Sequence, residues 1–179
     1  MTTFFKKRSY DLVCMFVTQL AISIFGLSLA LAVPRNQEAL RIGTSIFSII
    51  FYLFLIYTRV WDLGYKDCAA FGRGTSGLSR LEGLYMGIAA NTVNFITATL
   101  MILSSFIKNE TFDAVAGLVS LLPQGMYIGL LAVEVNGRVL NSIGIMYFVI
   151  TVPLIITSAL AYLAGSHDFK IFGSRKSKQ

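Results

Sequence analysis

The chain has 179 residues, of which 55% are hydrophobic and only 13% charged, with a mean hydropathy of +0.70 and a net charge of +6. A soluble domain carries about 25% charged residues; half that share leaves too little polar surface to face water, so lipid must be the solvent for much of the chain. The basic residues fall in short segments between apolar runs, with no separate patch of basic and aromatic residues, a pattern suited to an anionic membrane surface and not to nucleic acid.

The chain opens with "KKR" at 6–8 and continues into an uncharged run over 12–33. A basic head, an apolar stretch and "ALA" before Val33 also describe a cleavable signal peptide. The stretch is longer than the usual h-region, however, and Pro34 lies just beyond the cut, so a retained span is expected. The second uncharged run, 42–58, is the shortest and takes Val60 and Trp61 as its interfacial end, giving a span over 42–60. A charged segment from Arg59 to Glu82 follows; its "GRGTSG" at 72–77 lacks the Lys-Ser/Thr of a phosphate loop and reads as a flexible connection. The third run covers 83–107, and Asn109-Glu110-Thr111 after it forms a glycosylation sequon. A further uncharged stretch, 114–133, is interrupted by Pro123-Gln124-Gly125, where a helix must kink or break. The last run, 139–166, supplies a span over 139–164, followed by the polybasic "GSRKSKQ". Each run meets or nears the roughly 20 residues that a helix needs to cross about 30 Å of hydrocarbon. Tyr10, Tyr57, Trp61 and Tyr162 stand where an interfacial aromatic belt would place them.

Charge decides how many runs cross. With four crossings and a cytoplasmic N-terminus, eleven of the fifteen basic residues lie inside; a fifth crossing through 114–133 leaves seven inside and eight outside. The positive-inside rule therefore predicts four crossings, both termini cytoplasmic, with 114–133 as an interfacial or re-entrant segment on the outer face. Backbone broken at that depth is tolerable only when buried against other helices. The expected fold is a single all-α membrane domain over 1–179, built as two hairpins in parallel orientation.

Two helix ends carry the same punctuation: "WDLGYKDCAAFG" at 61–72 and "YLAGSHDFKIFG" at 162–173. In each, an aromatic (Trp61, Tyr162) precedes Gly64 or Gly165, then Asp67 or Asp168, then Phe71-Gly72 or Phe172-Gly173, at an offset of 101 residues. As a helix exit, the aromatic anchors at the headgroups, the glycine closes the helix in a left-handed conformation, and the aspartate caps a new turn. Same-face placement of both copies needs an even number of crossings between them, and a true repeat implies an axis along the membrane normal. Any helix exit favours such residues, so the match alone does not establish a repeat.

Ionisable groups buried in a membrane mark chemistry, and the four runs have none in their interiors. The single histidine, His167, excludes a His-Glu-x-x-His site and leaves no base for a serine nucleophile. No catalytic residue, metal ligand or cofactor site is expected. Cys14 and Cys68 fall in different environments and are expected to remain unpaired. Gly83, Gly87, Asn91, Asn94 and Ala98 line one face of the third helix, with Gln19 and Thr18 as possible hydrogen-bond partners. A packing seam accounts for that stripe more economically than an amide-lined solute path.

The segments "RVWDLGYKDCAAFGRG" and "YLAGSHDFKIFG" resemble motifs in small uncharacterised multi-span membrane proteins of Gram-positive bacteria. The resemblance covers the second and last spans with their exits, and it implies a bacterial plasma membrane. With no catalytic constellation and small-residue seams open to another helix, the reading favoured by the sequence is a non-enzymatic accessory or assembly subunit. Its partners would be the bilayer, anionic lipids at the cytoplasmic face and other membrane subunits, with no nucleic acid. The rival is a small transporter or channel with a path past Asn91 and Asn94.

Overall fold

The computed structural model describes residues 2–34, 36–72, 81–107, 109–135 and 137–167. Helix α1 (Thr2–Ala32) stops just before Pro34, whose ring disfavours helical backbone in the residue preceding it. Helix α2 (Glu38–Gly72) starts on an acidic residue that suits the positive end of the helix dipole. Helices α3 (Glu82–Ala90) and α4 (Thr92–Ile107) meet at Asn91 with a bend of 48°. No proline or glycine sits at that break. The Asn91 side-chain amide instead donates to the Gly87 carbonyl at 3.0 Å, entering the backbone ladder from the side.

Helix α5 (Glu110–Gln124) is capped by Asn109, whose side-chain oxygen accepts from the backbone N–H groups of Thr111 at 3.0 Å and Phe112 at 3.1 Å. Asn109→Ala is expected to lower stability by about 1 kcal/mol, read as a shift in the unfolding midpoint of the purified protein; no shift would mean that the cap contributes nothing. Pro123 lies at the end of α5, and the chain passes through a 3-10 turn (Gly125–Tyr127) into α6 (Ile128–Leu131). Strands β1 (Glu134–Val135) and β2 (Arg138–Val139) pair antiparallel, with Gly137 at φ 75 in the turn. A second 3-10 turn (Leu140–Ser142), α7 (Met146–Val149) and α8 (Val152–Ser166) complete the described chain, with Pro153 in the first turn of α8, where its missing N–H costs nothing.

Four helical stretches are long and apolar enough to cross a membrane: Phe4–Ala32, Glu38–Gly72, Glu110–Leu131 and Met146–Ser166; α3 and α4 together make a fifth if their bent pair counts as one span. These differ in detail from the expected spans. The first helix begins well before residue 12 and the second continues past Trp61 to Gly72. The last begins at Met146 because residues 139–145 are used by β2 and the following turn.

α1 and α2 lie antiparallel, joined by Arg59 to Asp11 at 3.3 Å near one end and by Tyr52 to Gln19 at 3.5 Å further along. α3 packs antiparallel on α8: a Cβ at Gly83 would fall 2.4 Å from the Tyr162 Cβ, and one at Gly87 2.9 Å from the Ile155 Cα. The core includes Met15, Tyr52, Ile56, Val60, Met86, Met126, Leu154 and Tyr162, each at most 1% exposed. Phe47, Ile50, Phe106 and Leu118 point outward, more than half exposed. Such a girdle of exposed apolar side chains is what a lipid-facing surface requires.

Candidate functional site

At the end of the bundle where α1 begins and α8 finishes, four helices contribute to one buried charged cluster. Arg8 of α1 donates from Nε to Glu82 Oε1 of α3 at 2.9 Å and from its terminal nitrogen to Asp67 Oδ2 of α2. The Tyr162 hydroxyl of α8 stands 2.8 Å from Asp67 Oδ2 and 3.0 Å from Glu82 Oε2, so its one proton is shared between the two carboxylates. Lys7 approaches Asp67 at 3.4 Å and Glu82 at 3.3 Å from the more exposed side. Asp11 links Arg8 to Arg59. Three acidic and three basic side chains thus balance. The Arg8, Asp67 and Glu82 side chains are only 6%, 10% and 8% exposed, so the ions have left most of their water and depend on one another.

Further along the bundle lies a second, uncharged network. Gln19 Nε2 donates to Asn94 Oδ1 at 2.7 Å and to the Pro123 carbonyl at 2.9 Å. Asn94 Nδ2 in turn donates to Asn91 Oδ1 at 2.7 Å. The Gln124 amide nitrogen faces two acceptors, Thr97 Oγ1 at 3.2 Å and the Asn94 carbonyl at 3.4 Å. With the amide nitrogen on these two acceptors, Gln124 Oε1 is buried without a hydrogen-bond partner among the described residues.

Gln124 is also part of the wall of a cavity of about 400 Å³. One stripe of α5 lines it: Asp113, Gly117, Ser120, Leu121 and Gln124, facing Ile128 of α6 and Tyr147 of α7. Asp113, Met101, Val139 and Asn141 are shared with an adjoining cavity of about 590 Å³ that reaches Ser104 and Glu110.

The expected helix exits take a different form. α2 does not close at Gly64; it runs on through Asp67 and Phe71 to Gly72, so Asp67 caps no new turn and instead meets Arg8. Gly165 lies inside α8, and His167 beyond it has φ −104, not a left-handed value. Asp168, Phe172 and Gly173 lie outside the described residues, as does most of the 72–77 connection. The two glycines serve close approach. A Cβ on Gly64 would fall 2.3 Å from the Tyr162 carbonyl oxygen, and one on Gly165 2.0 Å from that of Trp61. Each copy of the motif therefore sets its glycine against the aromatic backbone of the other, with α2 and α8 running the same way.

Gly83 and Gly87 pack on α8, while Asn91, Asn94 and Gln19 join in the uncharged network. Thr18 takes no part in it and donates to its own helix at Cys14 O, 2.8 Å away. Both cysteines are free thiols. The charged cluster is what reading the sequence missed, having taken Asp67 as the cap of a new turn and the Arg59 to Glu82 segment as a charged connection. Its one trace there is that Arg8, Asp67 and Glu82 each lie within nine residues of an end of an apolar run, at three run ends expected on a common face. Among the described residues no three His, Cys, Asp or Glu side chains gather as metal ligands.

No protein-family model matches the chain, and no curated protein or solved structure matches it either.

Proposed function

We propose that this integral membrane protein is a small transporter or channel for a polar solute, with four crossings and both termini cytoplasmic. Segment 110–131 then acts as a re-entrant element dipping from the outer face. The observation that carries the reading is Gln124: a 3% exposed side chain that lines the outer cavity and also joins the Gln19–Asn94–Asn91 network, so that cavity and network meet at one residue.

Several contacts support the re-entrant path. Asp113 meets Ser104 near the end of α4, and Gln124 meets Asn94 and Thr97 in its first half. Gly129 then stands against Arg41 and donates to Ser45 at 2.9 Å, near the start of α2. Leu131 shares the cavity wall with Asp113, whereas a straight helix would separate the two by roughly 27 Å at about 1.5 Å per residue. The distribution of basic residues favours the cytoplasm for the charged-cluster end. Broken helices whose ends meet near the midplane are a common way to build a solute site. The reciprocal Gly64–Tyr162 and Gly165–Trp61 contacts favour an internal repeat of two parallel hairpins.

In this reading the outer cavity leads to the amide network, and the charged cluster closes the cytoplasmic end. The accessory-subunit reading loses its main support, because its open seams are filled from within. Gly125 packs on Ser23 and Leu27, Gly129 on Arg41 and Ser45, and Gly83 and Gly87 on α8.

The test uses single cysteines in a chain lacking Cys14 and Cys68. In intact cells an impermeant thiol reagent is expected to label Gln124→Cys and to leave Met86→Cys untouched. With Glu82→Gln added to loosen the cluster, Met86→Cys should become reactive in inside-out vesicles while outer labelling of Gln124→Cys falls. Protection of Gln124→Cys from both sides in both backgrounds would end the transport reading and return the accessory one.

A further inference from the structure

At the end of the bundle that carries the charged cluster, an apolar groove of about 410 Å³ lies between α1 and α3. Phe4 and Phe5 of α1 form one wall; Tyr85, Ile88 and Ala89 of α3, with Thr92 at the start of α4, form the other. Those four recur at spacings of three, one and three, so they share one helical face, roughly 10 Å long. The Phe4 and Tyr85 rings meet edge to face with centroids 6.1 Å apart, tying the two walls together. The Thr92 hydroxyl donates to the Ala89 carbonyl at 2.8 Å, so its proton is spent within the backbone. Phe5, Tyr85 and Ile88 are all exposed, which leaves the groove open to the surrounding lipid.

The residues that follow Phe5 in the same helix are Lys6 and Lys7. Lys6 is exposed and has no ion pair among the described residues. Lys7 divides itself between Asp67 and Glu82, which Arg8 already holds, and keeps 42% of its side chain exposed. The two carboxylates are turned into the cluster, 10% and 8% exposed. The rim of the groove therefore shows positive charge outward with no exposed acid to match it.

We propose that this groove binds one anionic phospholipid of the adjoining leaflet, with an acyl chain along 85–92 and the headgroup phosphate on Lys6, beside Lys7. The chain fixes position and gives no selectivity, because lipid tails are as apolar as the groove and gain nothing hydrophobic by entering it. Selectivity comes from charge. A zwitterionic headgroup offers the same phosphate but sets its own ammonium against two lysines. A second copy seated symmetrically would bring another Lys6 and Lys7 to the same rim and be repelled. The assignment is independent of the transport reading.

The test uses the purified protein in nanodiscs that contain phosphatidylglycerol with a diazirine midway along one acyl chain. After irradiation, adducts are mapped by peptide mass spectrometry. They are expected at 85–92, and unlabelled phosphatidylglycerol should displace them about tenfold more effectively than phosphatidylcholine with the same chains. Glycerol phosphate, which has the charge and no chain, should not displace them. Lys6→Gln, at a side chain with no ion pair to lose, should cut the preference several-fold. Ala89→Phe should fill the groove and abolish adducts at 85–92 while adducts on other lipid-facing helices persist. Four outcomes overturn the proposal. Equal displacement by the two lipids means that ordinary bilayer tails occupy the groove. A cross-linked dimer in place of lipid adducts gives it to a second copy. Displacement by glycerol phosphate removes the chain, and a preference that survives both Lys6→Gln and the Lys6→Gln, Lys7→Gln pair removes the headgroup contact.

Discussion

Arg8→Met is expected to cost the folded protein about 3–5 kcal/mol, the usual penalty for removing one partner from a buried ion cluster. The side chain is 6% exposed, and its guanidinium is what separates the Asp67 and Glu82 carboxylates, both of which lie on the same Tyr162 hydroxyl. Without it two desolvated anions face each other, and Lys7, with 42% of its side chain exposed, is too well solvated to replace it. The size of the loss is tested by reversal. Arg8→Met combined with Asp67→Asn and Glu82→Gln removes the unbalanced charge and should recover most of the stability, measured by unfolding in mixed micelles followed through Trp61 fluorescence. A single variant as stable as the parent would show that water reaches the cluster.

Gly165→Ala and Gly64→Ala are the other large effects. One added methyl at either site meets a backbone carbonyl oxygen at 2.0 or 2.3 Å, which cannot rotate away. α2 and α8 must therefore separate along their contact, and overpacking of this kind costs about 1–3 kcal/mol or more per site. Gly43→Ala is the internal control: nothing stands within 4 Å of its added Cβ, and alanine there should stabilise α2 by about 1 kcal/mol. Folded yield and unfolding midpoint should fall for the first two variants and rise for the third. A neutral Gly165→Ala would mean that the helices are further apart than described.

The apolar helices were legible in the sequence because lipid enforces long uncharged runs. The stripe from Gly83 to Asn94 was legible because helical periodicity puts those residues on one face whether or not the helix bends. Asn91 itself gave no warning of the bend, since an asparagine that turns back onto Gly87 looks the same in a sequence as one that reaches across. The uncharged 139–145 stretch read as span because hydropathy does not register a strand pairing or a 3-10 turn. The motif at Trp61-x-x-Gly64 was visible but its meaning was not: a helix end and a close helix contact both want a small residue near an aromatic. What decides between them is the neighbour, α8, about a hundred positions away. The cluster at Arg8 was hidden for a similar reason, since its partners are 59 and 74 residues distant and one sequence carries no record of such pairing.

The reciprocal contact between the two motif copies has a consequence for how the protein is made. Gly64 emerges from the ribosome 101 residues before Gly165. At about 5–20 residues per second, that is an interval of roughly 5–20 s. During it the groove on α2 has no α8 to fill it, and Arg8 and Asp67 lack Tyr162. The nascent protein therefore presents an unfilled small-residue face and an incomplete ion cluster to the insertion machinery until its last helix arrives. A chain truncated before α8 keeps both defects permanently, giving membrane quality control a physical signal by which to tell unfinished molecules from finished ones.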